Sequence, residues 1–273
     1  MIIVPHQDDE ILMSSGVIRE CVKENIPCTV VMATNGDYEC TDFSKGYARL
    51  RESIEGLRVL GLSEDNYKIM GYADTGMPED ESFLTHLYQE KEFEKIYPSS
   101  CGENTYGLPE KKEYCFEKSG VHRPYNRKSF LTDLKDILLE KRPEKIFTTS
   151  EFDTHGDHSG LYRFVCEALN QLKEEEDYAP ELYCGLIHSC AGDEVWPERT
   201  EQSLTCPKGL EEQTSYIWQE RCALEMPEEM CVEQGEKNLK LQALKKHDTA
   251  LEPDAYEFLM AFIKNEEIFW KLR

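Results

Sequence analysis

The amino-acid sequence predicts an α/β fold: a doubly wound, mostly parallel sheet with helices on both faces and a helical C-terminal segment. Three observations predict it. Short β-branched runs alternate with helical apolar spacing in the first 77 residues and again from 129 to 187. Strands alternating with helices imply parallel pairing through crossover helices. The chain has 273 residues, 40% of them apolar and 10% aromatic, which is ample for one packed domain.

Each element follows from a local pattern. Ile2-Ile3-Val4 is a short buried strand ended by Pro5. Ile11, Ser15, Ile18 and Val22 recur at helical spacing and predict a helix over 10–24. Cys28 to Ala33 is a β-branched run closed by the turn Thr34-Asn35-Gly36. Leu50, Ile54, Leu57 and Leu60 mark the next helix, ended by Gly61, and Tyr67 to Gly71 is the third strand. Residues 78–128 break the rhythm with Pro78, Pro98, Pro109, Pro124 and interspersed aromatics. They read as an irregular insertion in a single domain spanning 1–273. Its role is a pocket wall or lid, or else a surface excursion with a short helix near 83–95. Leu131, Leu134 and Leu138 predict a helix over 129–142, followed by a strand from Lys145 to Thr149. Leu161, Val165, Ala168 and Leu172 predict a helix over 159–172; Leu182 to Ile187 is a strand, and 214–270 reads as mostly helical. Trp196, Trp218 and Trp270 read as core. Right-handed crossovers place the strand C-termini on one edge, where ligands bind.

Composition excludes several partners. Lys and Arg number 31 against 54 Asp and Glu, a net charge of −23 whose excess is densest after residue 173. Such a chain repels phosphate backbones and anionic lipid, so no nucleic-acid partner is expected. No apolar run approaches the ~20 residues needed to span a bilayer, so no membrane anchor is expected. Asp8-Asp9-Glu10 occupies the place of a leader's apolar core, so no secretory leader is expected either. The 11 cysteines are scattered without a C-x-x-C pair, which points to reduced thiols and a cytoplasmic location. A homo-oligomer is compatible with all of this.

Two clusters carry the chemistry. Pro5-His6-Gln7-Asp8-Asp9-Glu10 follows the first strand and opens a helix; Asp153-Thr154-His155-Gly156-Asp157-His158 does the same after the strand at 145–149. An Asp at a helix start caps free N–H groups, and His residues in a loop can do likewise. Capping explains one Asp in the first cluster. It does not explain three His and several Asp on the same edge of one sheet. Imidazoles with a carboxylate form a first-row metal set, with zinc the default, and three protein ligands leave a position open for water.

The pair PHQDDE and DTHGDH resembles the PIG-L/LmbE-like family of zinc-dependent de-N-acetylases, whose motifs are usually H-P-D-D-E and H-x-D-H. Thr34-Asn35-Gly36-Asp37, Arg49-x-x-Glu52 and Tyr72-x-Asp74-x-Gly76-Met77 fit the same family in order. Ile187-His188 and the stretch from Lys237 to Leu244 fit more loosely. The resemblance covers 1–77 and 129–172 and departs at Gln7, where Pro is usual. It implies an LmbE-like fold and removal of an acetyl group from an N-acetylated, N-acetylglucosamine-type sugar conjugate, giving acetate and a free amine. By this resemblance His6, Asp9 and His158 hold Zn2+, with Fe2+ as the other candidate, and Asp8 is the general base; spacing alone does not separate Asp8 from Asp9. His155 stabilises the oxyanion or protonates the leaving amine, and Asp157 orients a His. Arg49 and Asp74 contact the substrate or support the pocket, although Arg49 with Glu52 also makes an ordinary helix-surface pair. His188 lines the pocket or is structural, His247 is structural, and Tyr106 and Tyr125 are candidates for stacking on a sugar. The alternatives are a metal-dependent hydrolase of another ester or amide, and a non-catalytic carbohydrate-binding protein on the same fold. The motif loops contain no Lys or Arg, which disfavours phosphoesters.

Overall fold

Ile2–Val4 (β1) and Val30–Thr34 (β2) are buried at every position, as strands covered by helices on both faces must be. The structure is a computed structural model describing residues 1–273. The elements that follow β1 in order are Asp9–Lys23 (α1), β2, Ser44–Val59 (α2), Tyr67–Tyr72 (β3), Phe83–Gln89 (α3), Tyr114–Ser119 (α4), Arg127–Lys141 (α5) and Lys145–Thr148 (β4). Then come Gly156–Glu176 (α6), Glu181–Cys184 (β5), Leu210–Gln213 (α7), Cys222–Glu225 (β6), Leu239–Leu244 (α8), Tyr256–Met260 (α9) and Glu266–Lys271 (β7). The seven strands form one sheet in the order β3-β2-β1-β4-β5-β7-β6. The first five pair in parallel; β7 is antiparallel to both β5 and β6.

The chain starts at β1, runs outward to β3, then returns to lay β4 on the other side of β1. The strand order therefore reverses between β1 and β4, opening a crevice at their C-terminal ends. Ile2 lies level with Val30 of β2 and with Phe147 of β4, so these ends are in step. Both motif loops leave from this crevice.

The C-terminal region departs from the sequence expectation. Residues 214–270 are not mostly helical: they hold only short helices and the two antiparallel strands β6 and β7. Ile268-Phe269-Trp270 is an apolar β-type run that continues the sheet beyond β5, with Cys184 opposite Trp270. The buried Glu267 fixes it to α1. It accepts from Ser15 Oγ at 2.9 Å and Gly16 N–H at 3.0 Å, and it lies 3.3 Å from Lys240 Nζ.

The 78–128 segment contains α3, α4 and a single bridge between Asn104 and Pro124. Phe83, Tyr106, Tyr114 and Tyr125 are buried, whereas Phe93 is exposed. Tyr106 is 5% exposed, with its ring against Phe43 and Tyr47 and its hydroxyl donated to Asp37 at 2.9 Å. Tyr125 is fully buried against Tyr72 and Phe83. Neither offers a face to a sugar, which corrects the stacking expectation for both. Gly71, at φ +85°, lets the Tyr106 backbone pass against β3 where any side chain would collide.

Candidate metal centre and active site

β1 ends at Val4, just before Pro5, so His6 lies in the loop at the mouth of the crevice; β4 delivers the second motif beside it. Three donor atoms meet there. His6 Nδ1 lies 3.1 Å from His158 Nε2 and 3.4 Å from Asp9 Oδ2, and His158 Nε2 lies 3.3 Å from that same oxygen. Three tetrahedral ligands about 2.0–2.1 Å from a zinc ion stand about 3.3–3.4 Å apart. The triangle therefore fits such an ion in both dimensions and chemistry: two imidazoles, one carboxylate and an open fourth position. His6, His155 and His158 also bring ring nitrogens within 4.8 Å of one another, as do the donor atoms of His6, Asp74 and Asp157.

Carboxylates stand behind both imidazoles. His6 Nε2 lies 2.9 Å from Asp74 Oδ1 and 3.3 Å from Asp157 Oδ2. His158 Nδ1 lies 3.2 Å from Asp153 Oδ2. A metal-binding imidazole needs such a partner to set its tautomer and orientation. Asp157 also receives Thr75 N–H, Ser82 Oγ and Leu84 N–H, at 3.2, 2.6 and 2.8 Å. The insertion is thereby tied to the site. Asp37 Oδ1 accepts Asp74 N–H at 3.3 Å and holds the loop after β3.

Asp8 precedes α1 but makes no side-chain cap; its backbone sits at φ 116°. A non-glycine residue in that region costs about 1–3 kcal/mol and persists only where its surroundings enforce it. The capping explanation therefore fails for Asp8. It does hold for His155, whose Nδ1 accepts Asp157 N–H at 3.2 Å. With Nδ1 accepting, the proton of a neutral ring lies on Nε2. Arg49 reaches the site from α2: its guanidinium donates to Gln7 O at 2.9 Å and lies 3.5 Å from Asp8 Oδ2. Glu52 is not its partner; that carboxylate accepts from Thr249 N–H at 3.2 Å. Gly36, at φ +66°, makes room for Arg49 and Gln7, where a side chain would strike both. His188 follows β5, with its ring 5.4 Å from that of His155 and its Nδ1 2.8 Å from Asp193 Oδ2. Asp8, Arg49 and His188 keep 11, 13 and 14% of their side chains exposed, whereas Asp153, Asp157 and His158 keep none. The open side of the site is thus the side of the first three.

Electrostatics separate the two adjacent carboxylates. Burial, reinforced by the Asp9 charge, raises Asp8 to about 7 against the pull of Arg49. Burial also acts to raise Asp9, but His158 and His6 outweigh it and hold Asp9 well below its ordinary value. His6 is raised despite burial, because Asp74, Asp157 and Asp9 surround it. His155 is driven far down by burial and by the neighbouring His6 and His158. One carboxyl poised near neutrality beside one held ionised is the pattern of an acid/base group next to a charged ligand.

Sequence reasoning assigns no role to Asp153, Asp37, Thr75 or Ser82. A signal existed for Asp153: it opens the second motif, and a metal-binding His needs a carboxylate behind it. The other three act across long sequence separations, which one sequence does not expose.

Comparison with known proteins gives a family and a fold. The family model described as PIG-L, GlcNAc-PI de-N-acetylase, matches residues 1–169. No curated protein matches the chain in sequence. Among solved structures it is similar to an N,N'-diacetylchitobiose deacetylase from Pyrococcus horikoshii, with TM-score 0.58 and 15% identity over 99% of this chain and 82% of that one. It is also similar to a deacetylase of the antimicrobial A40926 pseudoaglycone, with TM-score 0.57 and 14% identity over 99% and 95%. A third is the zinc-inhibited form of a teicoplanin deacetylase, with TM-score 0.52 and 11% identity over 99% and 96%. At these identities the likeness is one of fold.

Proposed function

The chain belongs to the PIG-L family, and from that premise we propose that it is a metal-dependent de-N-acetylase. It hydrolyses the acetamide of an N-acetylated, N-acetylglucosamine-type sugar conjugate to acetate and a free amine. The observation that carries this is the donor triangle of His6, Asp9 and His158 with Asp8 beside it. These three residues would hold Zn2+, or Fe2+, which when bound polarises the amide oxygen and acidifies water.

The chain's own groups do the rest. Asp8, raised to about 7, takes the proton of the attacking water; a base of that strength is both available and effective at neutral pH. Asp9, held ionised, is suited to be the anionic ligand. His155 is neutral and presents Nε2–H, so it serves as a hydrogen-bond donor to the developing oxyanion. Asp157 and Asp74 orient His6, and Asp153 orients His158. Arg49 holds Asp8, and together with His188 it lines the open side, where sugar hydroxyls would bind. The segment 75–84, anchored on Asp157, forms a wall of the pocket. We place the enzyme in the cytoplasm, on its eleven free cysteines. No helix is long and apolar enough to cross a membrane, and we take the substrate to be a soluble small molecule.

The reaction class is tested with matched substrates: N-acetylglucosamine conjugates, their O-acetyl analogues and the corresponding phosphoesters. Acetate and primary amine should appear in equal amounts from the N-acetyl series. Turnover confined to esters or phosphoesters would contradict the proposal.

A further inference from the structure

Glu10, the last acidic residue of the first motif, has no part in the reaction above. Its side chain is fully buried. Oε2 accepts the backbone N–H of Asp8 at 3.0 Å, while Oε1 has no hydrogen-bond partner. Facing Oε1 at 3.7 Å is Nε2 of His247, from the turn that follows α8. His247 is also fully buried, with both ring nitrogens unpartnered. It packs on α2 at Gly56, where a Cβ would stand 2.9 Å from Nε2, so the helix is bare where the ring needs space. Ser53, one turn earlier on the same helix, and Tyr67 of β3 bring two more buried hydroxyls beside the Glu10 carboxylate. The space between helix and sheet is normally filled by apolar side chains. Polar groups from α1, α2, β3 and the 245–250 turn, converging there, form a deliberate polar arrangement.

Glu10 holds Asp8. The Asp8 carbonyl accepts the N–H groups of Ile11 and Leu12 at 2.8 and 2.9 Å, and its own N–H is satisfied only by Glu10. Both sides of a residue at φ 116° are therefore clamped. We infer that Glu10, backed by His247, is a positioning pair that fixes the Asp8 backbone and so aims its carboxylate at the reacting centre. This rests on the assignment of Asp8 as the base. Burial keeps His247 neutral, pushed down to about 3. At 3.7 Å the two groups are not hydrogen-bonded, but a neutral ring can turn an N–H towards an ionised Glu10 or a lone pair towards a protonated one, so the facing dipoles are favourable in both states. His247 lies beyond the residues matched by the family model. The C-terminal region thereby enters the catalytic geometry without touching substrate.

The test measures kcat, KM and zinc per chain for Glu10→Ala, Glu10→Gln, His247→Leu and Asp8→Asn, on whichever N-acetyl conjugate the wild-type enzyme hydrolyses. Glu10→Ala should lower kcat about 100-fold with KM and zinc unchanged, because a small displacement of a reacting group has that effect. Glu10→Gln keeps an acceptor for Asp8 N–H and a polar group towards His247, so it should recover to within about 5-fold of wild type. His247→Leu should lower kcat about 10-fold with zinc retained. Wild-type kcat in both Glu10→Ala and His247→Leu overturns the pair, as does loss of zinc in step with kcat and no rescue by Gln. If Glu10→Ala does not fold, His247→Leu decides: an unchanged kcat overturns the inference. An inactive Asp8→Asn beside unaffected Glu10 and His247 variants removes the pair alone. An active Asp8→Asn removes the base assignment, and the pair with it.

Discussion

Asp8 and Asp9 are neighbours in sequence and opposites in environment. Asp9 points between two imidazoles, which hold it ionised. Asp8 turns away on a left-handed backbone towards Arg49 and the open side. The prediction at this scale separates ligand from base. His158→Ala should lose stoichiometric zinc by elemental analysis. Asp8→Asn should keep the metal and lose turnover by about 100-fold or more, the usual worth of a positioned base. Zinc retained in the first variant, or wild-type turnover in the second, would reverse the roles. The motifs made these residues legible, because two His-rich and Asp-rich loops at strand ends are rare by chance. Which Asp does what was not legible from spacing: it depends on φ at Asp8 and on Arg49 and His158, both distant in sequence.

At the scale of elements, two contacts carry consequences. Asp157, at the start of α6, receives hydrogen bonds from Thr75, Ser82 and Leu84. Asp157→Ala leaves those donors unmatched and should destabilise the fold by about 2–4 kcal/mol in denaturant titration. Amide exchange should rise first across 75–84; uniform exchange would argue against this anchor. On α5, Asp133 lies 3.0 Å from Tyr72 hydroxyl and 3.2 Å from Arg123, yet burial outweighs both and raises it to about 6. The folded protein therefore holds a proton that the unfolded chain releases near pH 4. This group stabilises the fold below about pH 4, and the contribution is lost as pH rises to about 6, by at most about 3 kcal/mol. Asp133→Asn should gain stability relative to wild type over that window; a pH-independent difference would show that Asp133 does not titrate there. The longer helices were legible because their apolar stripes recur at 3.6-residue spacing. Tyr106 and Tyr125 lie in a segment without periodicity, so nothing in the local sequence marks them as core. The C-terminal strands were missed for a related reason. Helices α8 and α9 are only six and five residues long. β7 has a short apolar β-type run, but its pairing with β5 and β6 is set across long sequence separations.

For the whole molecule, the site exists because the strand order reverses between β1 and β4. The reversal brings together two loops that local sequence could only place on a common edge. The alternation of strands and helices made the parallel core legible; no local pattern announced the antiparallel extension through β7 and β6. The charge of −23 is consistent with this picture mainly as solvated surface, while the proposed chemistry is assigned to the few carboxylates in the crevice. The proposed hydrolytic metal centre joins these carboxylates to the two imidazoles of His6 and His158. It is tested most directly by acetate release from one protein preparation on an N-acetylglucosamine conjugate, followed as metal is removed by chelation and zinc is then returned. Release should stop when the metal is gone and recover in proportion to zinc bound, reaching a maximum at one ion per chain. Undiminished release from the metal-free protein would contradict it.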